Sequence, residues 1–182
     1  ISGLNGHIDM WAQVQCHGFI RTLNNGGFVK NLTFTGAKVF NHEGSGAISA
    51  IIVYTNQGTV ENCVVKDSNI HHGDYDALGV VVGVNRGTIR NCASISNTMV
   101  RRFSSAKAIC GFVWTNSGSI GNCFNYDCTY QNGSNRYAFT QSNTGTITNC
   151  YYYESSETIS DTAVTVISAP TYFSSSFAVI WN

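Results

Sequence analysis

Proline, leucine and charged residues are all scarce in this sequence of 182 residues. There is one proline, Pro170, and leucine occurs only four times. Isoleucine, valine and threonine are abundant, and such β-branched residues favour strands over helices. The balance argues against a helical bundle and predicts a chain made almost entirely of strands and turns.

The low charge excludes some classes of function. Charged residues make up 11% of the chain and the formal net charge is zero, against about 25% charged residues in typical soluble domains. Nucleic-acid binding needs a clustered basic face, so we expect no nucleic-acid partner. No apolar run reaches the roughly 20 residues of a membrane-spanning helix, so we expect no membrane span.

The seven cysteines cannot all pair within the chain, and no two have the Cys-x-x-Cys spacing of a zinc site. We expect no cofactor. The chain begins with Ile1 and not with methionine, and its start has no charged region before an apolar one. We expect either a processed terminus or a piece of a longer polypeptide.

A repeat accounts for most of the chain. Five segments share an Asn-x-Gly turn, a β-branched residue two positions later and a second asparagine after a further two positions; their glycines are separated by 31, 29, 31 and 27 residues. A near-constant period with matching turns is typical of a solenoid. We predict an all-β, right-handed parallel β-helix of about five rungs over residues 1–155, with residues 156–182 packing on or capping the last rungs.

The two asparagines of each repeat predict two amide ladders, because stacked rungs lie about 4.8 Å apart. In this interpretation the Asn-x-Gly turn also supplies left-handed backbone. The first ladder is Asn25, Asn56, Asn85, Asn116 and Asn143, and the second is Asn31, Asn62, Asn91, Asn122 and Asn149.

Four cysteines follow the second asparagine, at the place that Leu32 takes in the first rung: Cys63, Cys92, Cys123 and Cys150. A slot shared with leucine predicts small buried hydrophobes in an interior stack of unpaired thiols; a disulfide framework is the alternative. Cys16, Cys110 and Cys128 lie outside this stack and are better candidates for pairing.

The segment Gly79-Val-Val-Val-Gly-Val-Asn-Arg-Gly-Thr-Ile-Arg-Asn-Cys92 resembles the GLUG motif, which occurs in tandem in secreted and surface proteins. Residues 1–5, 27–37 and 167–182 resemble other parts of such arrays. The resemblance implies an adhesin-like architecture at an extracellular or cell-surface location, and it implies no catalytic residues.

The loops between repeats contain three polar candidates. His71, His72, Asp74 and Asp76 are residue types that bind metal ions or act as acid and base, although a solvated loop is the simpler interpretation. Arg101, Arg102 and Lys107 predict a wet basic turn, with an acidic glycan or a protein as the alternative partner. Asn132 begins an Asn-Gly-Ser glycosylation sequon in a loop.

Aromatic residues concentrate in the last two rungs. Strand alternation predicts outward side chains at Phe124, Tyr126, Tyr151 and Tyr153, with Tyr130 near them. Such a patch suits sugar stacking or protein contact, unless the C-terminal segment covers it.

The sequence therefore favours a non-catalytic structural or adhesive module, with stacking into a fibre through its open ends as one form of assembly. Its expected partners are proteins, either further copies or neighbouring domains, and glycans are a second class. The alternatives are a carbohydrate-binding module that uses the late aromatics and, less favoured, a polysaccharide lyase or hydrolase.

Overall fold

The computed structural model describes residues 5–6, 9–10, 18–40, 48–72, 77–101, 108–132, 135–153 and 165–166. In these residues there is no helix, and every strand pairing is parallel. Four sheets of five or seven strands surround one apolar core, and consecutive strands of a sheet come from consecutive repeats. The prediction of an all-β parallel β-helix is confirmed.

Sheets 1 and 2 flank the Asn-x-Gly turn, and each has five strands. Sheet 1 contains β3 (Ile20–Leu23), β8 (Val53–Asn56), β13 (Val82–Asn85), β18 (Val113–Asn116) and β23 (Thr140–Asn143). Sheet 2 contains β4 (Phe28–Lys30), β9 (Thr59–Glu61), β14 (Thr88–Arg90), β19 (Ser119–Gly121) and β24 (Thr146–Thr148).

Sheets 3 and 4 complete each rung, with seven and five strands. Sheet 3 contains β1 (Asn5–Gly6), β5 (Thr33–Thr35), β10 (Val64–Lys66), β15 (Ala93–Ile95), β20 (Phe124–Tyr126), β25 (Tyr151–Tyr153) and β26 (Thr165–Val166). Sheet 4 contains β2 (Asp9–Met10), β6 (Lys38–Phe40), β11 (Asn69–His72), β16 (Thr98–Arg101) and β21 (Thr129–Gln131). Two strand pairs close the loop side: β7 (Ile48–Ser49) with β12 (Ala77–Leu78), and β17 (Ala108–Cys110) with β22 (Asn135–Tyr137).

The core follows from strand alternation. In sheet 2 the middle residue of each strand points inward, and Val29, Val60, Ile89 and Ile120 are almost completely buried. The flanking residues point outward, where Arg90 and Glu61 form an ion pair of 3.1 Å between neighbouring rungs. This exposed pair contributes only a few tenths of a kcal/mol, so apolar burial is the main source of stability here.

The second asparagine ladder is confirmed and lies at the bend between sheets 2 and 3, which we call the cysteine corner. After the first rung, each amide nitrogen donates to the amide oxygen of the rung before it, over 3.1 to 3.3 Å, in the column Asn31, Asn62, Asn91, Asn122 and Asn149. All five residues have a positive φ, between 51° and 59°. The repeat is therefore left-handed at this surface asparagine. It is left-handed again at the bend between sheets 3 and 4, where φ is 50° to 66° at Gly36, Asp67, Ser96 and Asp127.

The first ladder lies inside the bend between sheets 1 and 2, which we call the glycine corner. Asn56 donates to Asn85, Asn85 to Asn116 and Asn116 to Asn143, over 2.7 to 2.8 Å. Asn25 is not a member, contrary to the prediction. The first rung has a longer turn with Gly26 at φ 78°, so the residue in register with Asn56 is Leu23.

Left-handed backbone does not explain the repeated glycine, and this part of the prediction is wrong. Of the glycines described, only Gly18, Gly26 and Gly36 have a positive φ. A Cβ on Gly87 would lie 2.2 Å from the carbonyl oxygen of Gly58, and the equivalent glycines Gly58, Gly118 and Gly145 have the same close contact. The repeat needs glycine here because neighbouring rungs approach too closely for any side chain.

Candidate functional site

The four cysteines of the stack are buried, unpaired thiols at the cysteine corner, as predicted. Each thiol donates to the carbonyl oxygen two residues before it, over 3.1 to 3.3 Å, through Cys63, Cys92, Cys123 and Cys150. Burial raises the pKa of the Cys123 thiol well above its ordinary value. An enclosed thiol with a raised pKa, such as that of Cys123, is a core group and not a nucleophile.

Cys110 and Cys128 are buried thiols, not halves of a disulfide, so the prediction that they are better pairing candidates is wrong. Cys128 instead donates to the Asn125 side chain over 2.9 Å and lies 3.5 Å from the Ser94 hydroxyl. Cys16, the third candidate for pairing, lies outside the described residues.

These contacts belong to a buried polar network that the repeat analysis missed. Asn125 donates to the Tyr130 hydroxyl over 2.8 Å, and Asn97 donates to Ser94 over 3.0 Å. Ser68 continues the chain by donating its backbone N–H to Asn97 over 2.9 Å. All of these side chains are nearly inaccessible, so the network specifies interior packing and offers no ligand site.

The predicted basic turn also begins inside the solenoid. Arg101 ends β16, points inward and is 1% exposed, and its guanidinium donates to the Ala108 carbonyl over 3.1 Å. Arg101 is therefore not a solvated residue. The alternation of inward and outward side chains in β16 extends to this last residue of the strand. Arg102 and Lys107 lie outside the described residues.

The polar cluster in the loop after β11 is only partly described. His71 is a half-buried residue of β11, in register with Val100. His72 ends the same strand, while Asp74 and Asp76 lie outside the described residues. Within the described residues no group of three or more His, Cys, Asp or Glu could hold a metal ion. The metal and acid–base hypothesis for this loop stays a prediction.

The late aromatics divide into buried and stacked residues. Phe124 is only 8% exposed, so the predicted exposed ring is wrong there; its neighbour in register, Ala93, is fully buried as well. Tyr130 points into the core, where its hydroxyl accepts from Asn125. These two rings offer no face to a ligand.

Tyr126 and Tyr153 are half-buried and in register, and their rings stack with centroids 5.2 Å apart at 22°. A sugar packs against a ring face, but in this pair the two inner faces cover each other. Tyr151 is half-buried on the same strand as Tyr153. The arrangement is a cross-rung aromatic ladder, which favours stabilisation of the rungs over sugar stacking. Glycan binding by these residues stays a prediction.

Asn132 is exposed, with a φ of 64°, and its amide nitrogen donates to the Arg101 carbonyl over 2.9 Å. A glycan on this nitrogen would remove one of its two hydrogens and displace it from that carbonyl. Glycosylation at Asn132 stays a prediction.

A surface groove follows the glycine corner along the solenoid axis, and the sequence analysis did not find it. It encloses about 580 Å³. Because the repeated glycines have no side chain, their backbone forms the floor, while Gln57 and Arg86 rise on one side. The other side is a column of hydroxyl residues in register: Thr59, Thr88, Ser119 and Thr146.

Phe28 begins the same outward column, in register with Thr59. At 55% it is the one large hydrophobic side chain that is exposed in the described parts of the chain. The Lys30 ammonium lies 5.3 Å from the centre of its ring. The repeat did hold a signal for this site, since an aromatic residue replaces the hydroxyl residue of the other four rungs.

No helix of the described residues is long and apolar enough to cross a membrane. Comparison of the chain with protein-family models, with curated proteins and with solved structures finds no match. The GLUG resemblance therefore stays a prediction.

Proposed function

We propose that the chain is a non-catalytic structural module of an extracellular or cell-surface assembly, in which the solenoid continues from one copy of the chain into the next. The observation that carries this proposal is the matching direction of the asparagine ladder of the cysteine corner at the two ends of the stack. The location is supported by the GLUG resemblance alone.

At the last regular rung, the inward-facing residues of β23 and β24 are more exposed than their equivalents one rung earlier. Ile147 is half-buried, whereas Ile120, one rung before it, is 1% exposed. Asn143 is exposed, whereas Asn116 is 2% exposed. In sheet 3 the chain returns from Tyr151 to Thr165 after only 14 residues, about half of a regular rung. Among the described residues, β23 and β24 are therefore the last strands of their sheets, and an uncovered strand edge is a template for pairing with another strand. Of residues 156–182, expected to pack on or cap the last rungs, only β26 lies within the described residues.

At the other end, β3 and β4 are the outermost described strands of the same two sheets. The asparagine ladder of the cysteine corner runs in one direction, because each of its hydrogen bonds is donated toward the first rung. Among the described residues, the Asn31 amide nitrogen has no acceptor and the Asn149 amide oxygen has no donor. Head-to-tail stacking would bring these two groups together, which favours a second copy of the chain as the partner.

The test is the mass of the 182-residue chain, measured by sedimentation across a range of concentrations. We expect the wild-type mass to rise with concentration and Ile147→Lys to remain a monomer, because lysine would place a charge in the stacked interface. Val84→Lys is the matched control: Val84 is also a half-buried aliphatic residue, but it faces outward on a central rung. This variant should associate as the wild type does.

Circular dichroism would verify that both variants fold. A wild-type chain that stays monomeric at every concentration would contradict the proposal. So would equal loss of association in the two variants, since that result would place the contact on the side of the solenoid.

A further inference from the structure

We propose that the groove along the glycine corner, together with Phe28, binds an extended acidic oligosaccharide. The groove opens on the side of the solenoid and reaches from the edge strand β4 to the edge strand β24. Its volume is within the range of about 300 to 1,000 Å³ that small-ligand sites occupy.

The hydroxyl column gives the groove its first chemical preference. Its members come from the same position of consecutive rungs, so they repeat about every 4.8 Å along the axis. Ser119 donates to the Thr88 hydroxyl over 3.2 Å, and each hydroxyl can both donate and accept. A ligand that presents hydroxyl groups at regular intervals matches such a wall.

Phe28 gives the second preference, because an exposed aromatic ring packs well against the apolar face of a sugar. Phe28 continues the hydroxyl column in register with Thr59, so a sugar that extends along the column toward the first rung meets this ring. The fold would accept a polar residue at this position, since the four other rungs have threonine or serine there.

The charges give the third preference. Arg86 is exposed beside the groove, and no ion pair is found for it within the described residues. Lys30 lies over the Phe28 ring. The one acidic side chain on sheet 2, Glu61, is paired with Arg90 at 3.1 Å. Two cations thus remain for an anionic ligand, and arginine binds a carboxylate or sulfate through paired hydrogen bonds.

An acidic peptide fits the groove less well than an acidic sugar. A peptide would gain most from backbone pairing, but the glycine carbonyls of the floor are already used. Gly58 and Gly87 accept from the backbone N–H groups of Thr88 and Ser119, both over 2.9 Å. Side-chain hydroxyls and the aromatic ring are the groups that remain, and these favour a carbohydrate.

Calorimetric titration with hexagalacturonate, and with a neutral galactose hexamer of the same linkage, tests the proposal. The titrations should use the wild-type chain at a concentration at which sedimentation shows a monomer, so that stacking does not affect the result. We expect the acidic hexamer to bind and the neutral one to bind about tenfold more weakly or not at all. Phe28→Ala and Arg86→Gln should each weaken acidic binding by about tenfold, which corresponds to about 1.4 kcal/mol. Lys38→Gln, on sheet 4, is the control and should leave the affinity within about twofold.

The salt dependence should fall in Arg86→Gln, because one ionic contact is lost. The proposal is overturned by absence of binding to the acidic hexamer, by wild-type affinity in both groove variants, or by equal affinity for a polyglutamate peptide. Any of these results would leave the stacking proposal unaffected.

Discussion

In the second to fifth rungs the glycine corner and the cysteine corner both carry an asparagine, yet the side chain has a different role at each. At the glycine corner it lies inside, and its hydrogen bonds replace those that water would make. At the cysteine corner it lies on the surface, and its backbone adopts the left-handed conformation. The interior asparagine is required for its side chain, whereas the exterior one is required chiefly for its backbone. Each corner then has a second specialised residue, glycine for close approach and cysteine for the core.

The largest expected effect at the glycine corner is that of Gly87→Ala, because the added Cβ would lie 2.2 Å from the Gly58 carbonyl oxygen. Both groups are backbone, so the rungs themselves would have to separate. We expect a loss of about 4 kcal/mol or more in the free energy of unfolding, measured with urea. Gly26→Ala is the control: its φ is 78° but nothing lies within 4 Å of the added atom, so only about 1 to 2 kcal/mol should be lost. Similar losses would refute the close-approach explanation.

Asn85→Leu should have the next largest effect. Leucine has nearly the same shape but would leave the Gly87 N–H and the Asn116 amide oxygen without their bonds of 3.3 and 2.7 Å. The Asn56 amide nitrogen would keep only its bond of 3.3 Å to the Thr88 carbonyl. Each buried group left unsatisfied costs about 1 to 3 kcal/mol, so we expect a loss of about 3 kcal/mol. A decrease in the melting temperature of roughly 6 to 12 °C would accompany it. A loss below about 1 kcal/mol would mean that water replaces the ladder.

The first rung has leucine, Leu23, in the column that holds the interior asparagines of the later rungs. The interior amides all donate toward the C-terminal end, so Asn56 needs no amide below it. Its oxygen already accepts the Gly58 backbone N–H over 3.1 Å. The direction in which the amides donate, and not burial, therefore determines that the asparagine column can begin at Asn56.

The architecture could be predicted from the sequence because the period and the turn residues recur five times. The exterior ladder, the cysteine stack and the core column of sheet 2 followed from position within the repeat. The place of Asn25 did not, because two extra residues in one turn shift the register without changing the local motif. Nor did the buried network of Ser94 and Asn125, since those strand positions are apolar in the first two rungs, at Phe34 and Val65.

The candidate sites were harder to predict than the fold. Burial of Phe124 and Arg101 depends on what lies above each strand, which alternation alone does not specify. The groove forms because the repeated glycines have no side chains, so no functional residue type in the sequence indicates it. Only Phe28 differed visibly from its equivalents in other rungs.

Substitution by glycine should lower the free energy of unfolding less at Asn91 than at Asn85. Asn91→Ala places a Cβ-bearing residue without a compensating side chain at φ 53° and should lose about 1 to 2 kcal/mol. Asn91→Gly should lose under about 1 kcal/mol, because glycine adopts this conformation freely and the ladder here is exposed. Asn85→Gly should be at least as harmful as Asn85→Leu. Urea unfolding of the four variants would measure this; equal losses for Asn91→Ala and Asn91→Gly would show that the exterior amide bonds matter more than the backbone.

The smallest effect is expected from Cys123→Ser, which tests what the inward residue of the cysteine corner contributes. The thiol donates to the Gly121 carbonyl over 3.1 Å, and a hydroxyl can keep that bond, so the loss near pH 7 should be about 1 kcal/mol or less. The wild type should respond more to alkali than this variant. Because burial raises the pKa of the Cys123 thiol, its contribution is fully present below the unfolded pKa of about 8.5 and is lost as pH rises toward the folded value. Unfolding measured from pH 7 to 10 should therefore show a steeper decline in the wild type than in Cys123→Ser. A parallel decline would mean that this thiol ionises as readily folded as unfolded, and that the cysteine corner is open to water.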